Sequence, residues 1–184
     1  MRKLTHSQIV DQRLTVETAQ EVPRFPVYVC ATNIRSLYNI GSLFRTCDAA
    51  RVQELILCGF TPHPPRVEIT KTALGAVDTV PWRYEPDACS ALRHLRSKGV
   101  KIIAVELTEN ALAYTELAAA HMPCCLVLGN ELTGIADDVL AECDDAVMIP
   151  MHGVKHSLNV SVAAGIVIFE AIRVASALPL RHPH

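Results

Sequence analysis

Apolar residues recur along the chain at two spacings. Continuous β-rich runs of four to eight residues, at 27–31, 54–58, 100–107, 124–128 and 146–149, have the length of buried strands. Between them, 40–51, 86–98 and 135–143 repeat apolar positions at helical spacing, and 157–178 forms a long closing helix. Strand and helix alternate, which predicts βαβ units. The expected fold class is therefore α/β, a mostly parallel sheet with helices on both faces. Residues 1–26 read as an N-terminal extension with one short helix, ending where Pro23 and Pro26 forbid regular helix. One domain is expected over 27–184, without internal repeats.

The closing helix is unusual in composition. Val160, Val162, Ala163, Ala164, Ile166, Val167, Ile168 and Phe169 leave its first half almost without a polar face. Such a helix must be buried on most sides. In so small a domain this points to packing against its own sheet and a second copy of the chain, so a homodimer is expected, the other reading being the central core helix of a monomer.

The chain has 184 residues, 50% hydrophobic and 20% charged, with mean hydropathy +0.23, a globular composition. The longest apolar stretch, 160–169, is half of a membrane span and is followed by Glu170 and Arg173. Thr5, His6, Ser7, Gln8 and Asp11 interrupt any signal-peptide core, so no membrane association and a cytoplasmic location are expected. Seven cysteines (30, 47, 58, 89, 124, 125 and 143) are odd in number, lack C-x-x-C spacing and read as reduced core thiols. A net charge of −2 argues against a protein that grips nucleic acid by bulk charge alone. The charge is unevenly spread: residues 1–100 hold 13 Lys and Arg against 9 Asp and Glu, and residues 101–184 hold 4 against 10. A polyanion would meet the first half.

Three segments, each after an expected strand, carry candidate chemistry. The first, Asn39-Ile40-Gly41-Ser42-Leu43-Phe44-Arg45, opens a helix on which Arg45 shares a face with Ser42. In the second, Leu128-Gly129-Asn130-Glu131-Leu132-Thr133-Gly134-Ile135, the two glycines lack the lysine of a phosphate loop, and Glu131 would repel phosphate; a nucleoside site fits better. The third runs from Ile149 through Pro150, Met151, His152, Gly153 and His156 to Ser157-Leu158-Asn159-Val160-Ser161-Val162-Ala163. It has the features of a ligand loop entering a helix N-terminus. His152 and His156 lack an H-E-x-x-H context, and no metal is expected.

In this order the Asn and Arg of the first segment, the Gly-Asn-Glu-x-x-Gly of the second and the Ser-Leu-Asn-Val-Ser-Val-Ala of the third resemble the SpoU family of RNA ribose methyltransferases, of the SPOUT class. Similarity extends to Asn33-Ile34-Arg35-Ser36 and Lys71-Thr72-Ala73-Leu74-Gly75-Ala76, so it covers roughly 27–178. The resemblance implies a C-terminal trefoil knot, a homodimer and an S-adenosyl-L-methionine cofactor held by Leu107, Thr108, Gly129, Asn130, Ile149, Met151, Ser157 and Leu158. It also implies methyl transfer to a ribose 2′-hydroxyl of RNA, tRNA first and rRNA second. Arg45 is the implied catalytic residue, with Asn39, Glu131, Ser157 and Asn159 positioning it, the RNA phosphate or the cofactor. A guanidinium stays protonated near neutral pH, so a charged Arg45 would orient a phosphate and lower the hydroxyl pKa, leaving the proton to water, a phosphate oxygen or Glu131. Arg24, Arg35, Arg45, Arg66, Lys71 and Arg83 are the expected RNA contacts, and His156 has no assigned role. Two other readings are a knotted RNA- or nucleotide-binding dimer without catalysis, and an NAD-dependent oxidoreductase. The set Asn39, Arg45, Glu131, Ser157 and Asn159 opposes the first, and the lack of G-x-G-x-x-G the second.

Overall fold

A computed structural model describes residues 1–178; the expected domain end at 184 lies outside the described residues. Seven parallel strands form one sheet in the order β3-β2-β1-β6-β4-β7-β5. They are β1 (Phe25–Thr32), β2 (Val52–Cys58), β3 (Trp82–Glu85), β4 (Lys101–Val105), β5 (Leu112–Ala113), β6 (Cys124–Leu128) and β7 (Asp145–Met148). The apolar runs predicted β1, β2, β4, β6 and β7. β3 and β5 escape because they are short edge strands: Trp82-Arg83-Tyr84-Glu85 alternates without a continuous apolar run, and β5 has two residues.

Alternation of side chains sorts each central strand between two cores. Val27, Val29 and Ala31 of β1, Leu55 and Leu57 of β2, and Leu126 and Leu128 of β6 face one side. There they meet α3 (Leu37–Ala49), α4 (Val67–Ala73), α5 (Ala76–Thr79) and α8 (Val160–Ser176). Cys30, Ile56, Cys125 and Val127 face the other side, against α6 (Ala88–Ser97) and α7 (Asp137–Leu140). Both faces are covered, as continuous apolar strands require. Complete burial of Leu43, Phe44, Ile56 and Leu126 stabilises by roughly 1.5–3 kcal/mol each. The thiols of Cys30, Cys47, Cys58, Cys124 and Cys125 are buried and free.

The boundaries of several elements differ from expectation for local reasons. The N-terminal extension forms two helices, α1 (His6–Val10) and α2 (Val16–Glu21), because Thr5 and Thr15 each close a capping box. α3 begins at Leu37, where Ser36 accepts the Asn39 amide. α8 begins at Val160, because Asn159 rather than Ser157 accepts the Ser161 amide. α4 and α5 were missed as short helices held by packing against α3, without side-chain caps. β4 ends at Val105 and α7 starts only at Asp137, because Glu106 takes the amides of Leu107 and Ile135. Among the described residues no helix is long and apolar enough to cross a membrane.

Candidate active site

A cavity of about 440 Å³ opens at the C-terminal ends of β4, β6 and β7, where parallel sheets hold their ligands. Three chain turns wall it. The first continues β4 through Val105, Glu106 and Leu107, the second is the turn from Gly129 to Ile135, and the third runs from Ile149 and Met151 to Asn159. Of the residues expected to hold a cofactor, Leu107, Gly129, Asn130, Ile149, Met151, Ser157 and Leu158 line this cavity, and Thr108 does not. The volume lies in the range of small-molecule sites.

The second turn is pinned from within. Asn130 and Gly134 exchange backbone hydrogen bonds of 2.9 and 3.0 Å, while the Asn130 Oδ1 accepts the amides of Leu132 and Thr133. Its Nδ2 donates to the Asn33 carbonyl at 2.7 Å, so this side chain fastens the turn to the loop after β1. A Cβ on Gly129 would lie 2.3 Å from the Gly134 carbonyl carbon and 2.4 Å from the Ile135 nitrogen. Glycine is needed at 129 because backbone lies against backbone there, a closer constraint than approach of a ligand.

One hydrogen-bonded chain joins the three sequence segments. Glu131 Oε2 accepts the Arg35 amide at 2.9 Å, and Oε1 accepts the Ser36 amide at 3.0 Å and the Asn39 Nδ2 at 2.9 Å. Asn39 Oδ1 accepts from Asn159 Nδ2 at 3.1 Å, and Asn159 Oδ1 accepts from the amide and hydroxyl of Ser161. Every amide orientation in the chain is fixed by a donor at one end and an acceptor at the other. Desolvation pushes the Glu131 carboxyl up, but the amides of Arg35 and Glu131, the Asn39 side chain and the Ser36 amide outweigh it and hold the pKa below its ordinary value. A carboxylate so occupied is a poor proton acceptor and a good clamp on the start of α3.

Arg45 is exposed on α3, one turn beyond Ser42, and does not line this chain's own cavity. Among the described residues its guanidinium has no ion-pair or hydrogen-bond partner. The expected RNA contacts divide. Arg35, Arg66 and Lys71 are exposed, whereas Arg24 donates to the carbonyls of Val52 and Thr79, and Arg83 is paired with Glu54 and Glu85. Arg24 and Arg83 serve the fold. Sequence reasoning missed Glu106, which holds two walls of the cavity together through Leu107 and Ile135; its position at the end of an apolar run was the available signal. His156, left without a role, lies in the cavity wall.

The lining includes Glu106 and Glu131 but no lysine or arginine. An anionic dinucleotide would meet repulsion there, while a nucleoside bearing positive charge would not. Among the described residues no group of three or more His, Cys, Asp or Glu could hold a metal ion.

Comparison with known proteins adds to this geometry. A model of the SpoU rRNA Methylase family matches residues 26–169. The tRNA (guanosine(18)-2'-O)-methyltransferase of Escherichia coli (strain K12) is 32% identical over 145 residues, 79% of this chain. The chain spans 62% of that protein's length. The A. aeolicus TrmH/SpoU tRNA modifying enzyme superposes with a TM-score of 0.78 at 28% identity, over 88% of this chain and 82% of that one. The AdoMet-bound rRNA methyltransferase from Sinorhizobium meliloti gives 0.76 at 29% identity, over 88% and 61%.

Proposed function

Because the chain belongs to the SpoU rRNA Methylase family, we propose that it is an S-adenosylmethionine-dependent methyltransferase acting on a ribose 2′-hydroxyl of RNA, tRNA before rRNA. The observation that carries this reading is the hydrogen-bonded chain from Glu131 through Asn39 to Asn159, which ties the three motif segments together at the rim of one nucleoside-sized cavity.

The cavity fits the cofactor. Leu107, Ile149, Met151 and Leu158 offer apolar surface to an adenine and a thioether, the turn backbones offer hydrogen-bonding groups, and two carboxylates without a lysine or arginine favour a cation. When bound there, S-adenosylmethionine supplies a methyl group on a positively charged sulfur, which the ribose oxygen displaces. The protein's own task is to stabilise the charge that develops on that oxygen. Arg45 does this as a cation, orienting the adjacent phosphate and lowering the hydroxyl pKa, and the proton leaves to water or a phosphate oxygen. Glu131, Asn39 and Asn159 position the start of α3 and of α8, and Ser157 is part of the cavity wall.

The proposal includes a homodimer in which Arg45 reaches the cavity of the second copy. Its support is the exposure of Arg45 outside its own cavity together with the apolar outer face of α8, where Val162 and Phe169 are each 51% exposed. The same reading takes 1–26 as an extension and the chain from 27 as one methyltransferase domain, with the C-terminal segment threaded as a knot. It also takes the location as cytoplasmic, supported by seven free thiols. The test is transfer of labelled methyl from S-adenosylmethionine to unmodified tRNA and rRNA transcripts, followed by nuclease digestion and nucleoside analysis. Recovery of a 2′-O-methylnucleoside is expected; absence of any labelled ribose overturns the proposal.

A further inference from the structure

A second hollow, a shallow groove of about 360 Å³, is lined by Arg35, Leu37, Phe60, Pro62 and Arg66. It shares no lining residue with the cavity at the sheet's C-terminal ends. Phe60 is 62% exposed, a large apolar ring that folding leaves in water. The backbone beneath it is nevertheless firmly held. The Phe60 amide donates to Asn33 Oδ1 at 3.2 Å, the Gly59 carbonyl accepts from the Tyr84 hydroxyl at 2.9 Å, and the Thr61 hydroxyl donates to the Ala31 carbonyl and accepts the Ile34 amide. Gly59 has φ of +65°, and a Cβ there would lie 2.1 Å from Asn33 Oδ1, so only glycine lets the turn close on Asn33. A rigid backbone is thus presenting an exposed aromatic ring.

Beside the ring stand two cations. Neither the Arg35 nor the Arg66 guanidinium has a carboxylate partner among the described residues. Glu131, the acidic group bound to this loop, is directed at the Arg35 and Ser36 amides and so does not neutralise the Arg35 side chain by a contact. An aromatic face flanked by guanidinium groups is the chemistry that takes an unstacked base and the phosphates on either side of it. The groove is also coupled to the cavity. Loop 33–36, which carries Arg35, is fastened to the second cavity turn through Asn130 and Glu131. An acidic peptide would satisfy the cations but would have no reason to be held in register with that turn.

We propose that this groove is a subsite for one flipped-out nucleotide of the RNA substrate, near the nucleotide that is methylated. Its base stacks on Phe60 and its phosphates pair with Arg35 and Arg66. The inference rests on the proposed methyltransferase function and adds to it a position at which a base is read by stacking.

The experiment compares the wild-type chain with Phe60→Ala, Phe60→Trp and Arg66→Gln. The RNA is the tRNA or rRNA transcript that accepts methyl, and S-adenosylhomocysteine binding is followed in parallel by calorimetry. Phe60→Ala is expected to weaken RNA binding roughly 5- to 100-fold and to raise KM for RNA, with Phe60→Trp restoring both. Arg66→Gln is expected to weaken binding and lower the salt slope by about 1. Affinity for S-adenosylhomocysteine should stay at the wild-type value throughout. If the wild-type chain methylates RNA while Phe60→Ala and Arg66→Gln bind it equally well, the subsite is overturned and the enzyme assignment stands. If the wild-type chain neither binds S-adenosylhomocysteine nor methylates either RNA, the assignment is overturned, and the subsite with it.

Discussion

Two side chains separate the tasks of charge and of placement. Arg45 is exposed and, among the described residues, unpaired, as a guanidinium awaiting a phosphate should be. Arg45→Ala is expected to lower kcat roughly a hundredfold or more while calorimetric affinity for S-adenosylhomocysteine is kept. Arg45→Lys should recover part of the loss, since it keeps the charge without the planar fork. Unchanged turnover in both would remove Arg45 from the mechanism. Glu131 behaves differently. Its folded-state pKa is depressed, so its stabilising effect is fully present above the unfolded value near 4.5 and is lost as pH falls through the lower folded value. Glu131→Gln should therefore cost about 1–2 kcal/mol in urea unfolding near neutral pH, a figure reduced for its exposure. The gap to wild type should close in acid, and a gap independent of pH would contradict the clamp assignment. The sequence made Asn39, Glu131 and Asn159 candidates but not their connectivity, because residues 92 and 120 positions apart meet only through the sheet order.

At the scale of elements, the central strands were legible because a strand covered on both faces must be apolar at every position. Residues 102–105 of β4 and Cys124–Leu128 are examples, lying side by side. What escaped is whatever tertiary contact alone sustains, such as the four-residue edge strand Trp82–Glu85 and the uncapped helices Val67–Ala73 and Ala76–Thr79. The cavity turns were partly legible. Their glycines and polar residues marked a ligand loop, yet the reason for Gly129 emerged only from its contact with Gly134 and Ile135. Gly129→Ala tests that reason. The added methyl meets backbone rather than a flexible side chain, so the turn must shift, at a cost of roughly 1–3 kcal/mol in stability. Cofactor affinity should fall as well, because the turn is a cavity wall. A variant with wild-type affinity and melting temperature would show that the turn yields freely.

For the whole molecule, the proposed dimer, argued from the outer face of α8 and the exposure of Arg45, has a strict consequence. Val162 and Phe169 lie seven residues apart, two turns along one face, and bury their rings and methyls only if another surface covers them. In an isologous dimer each change appears twice, so Val162→Glu combined with Phe169→Glu sets like charges against one another and should yield monomers in sedimentation velocity. If Arg45 acts across the interface, monomers lose turnover as well. Mixing makes the argument independent of dissociation. An Arg45→Ala chain keeps an intact cavity, and a Gly129→Ala chain keeps an intact arginine; neither homodimer can complete a site. After exchange of subunits, mixed dimers hold one complete site each, so activity should return to about a quarter of the wild-type value. Recovery of none would mean that Arg45 serves the cavity of its own chain, and α3 would then have to move toward it before catalysis.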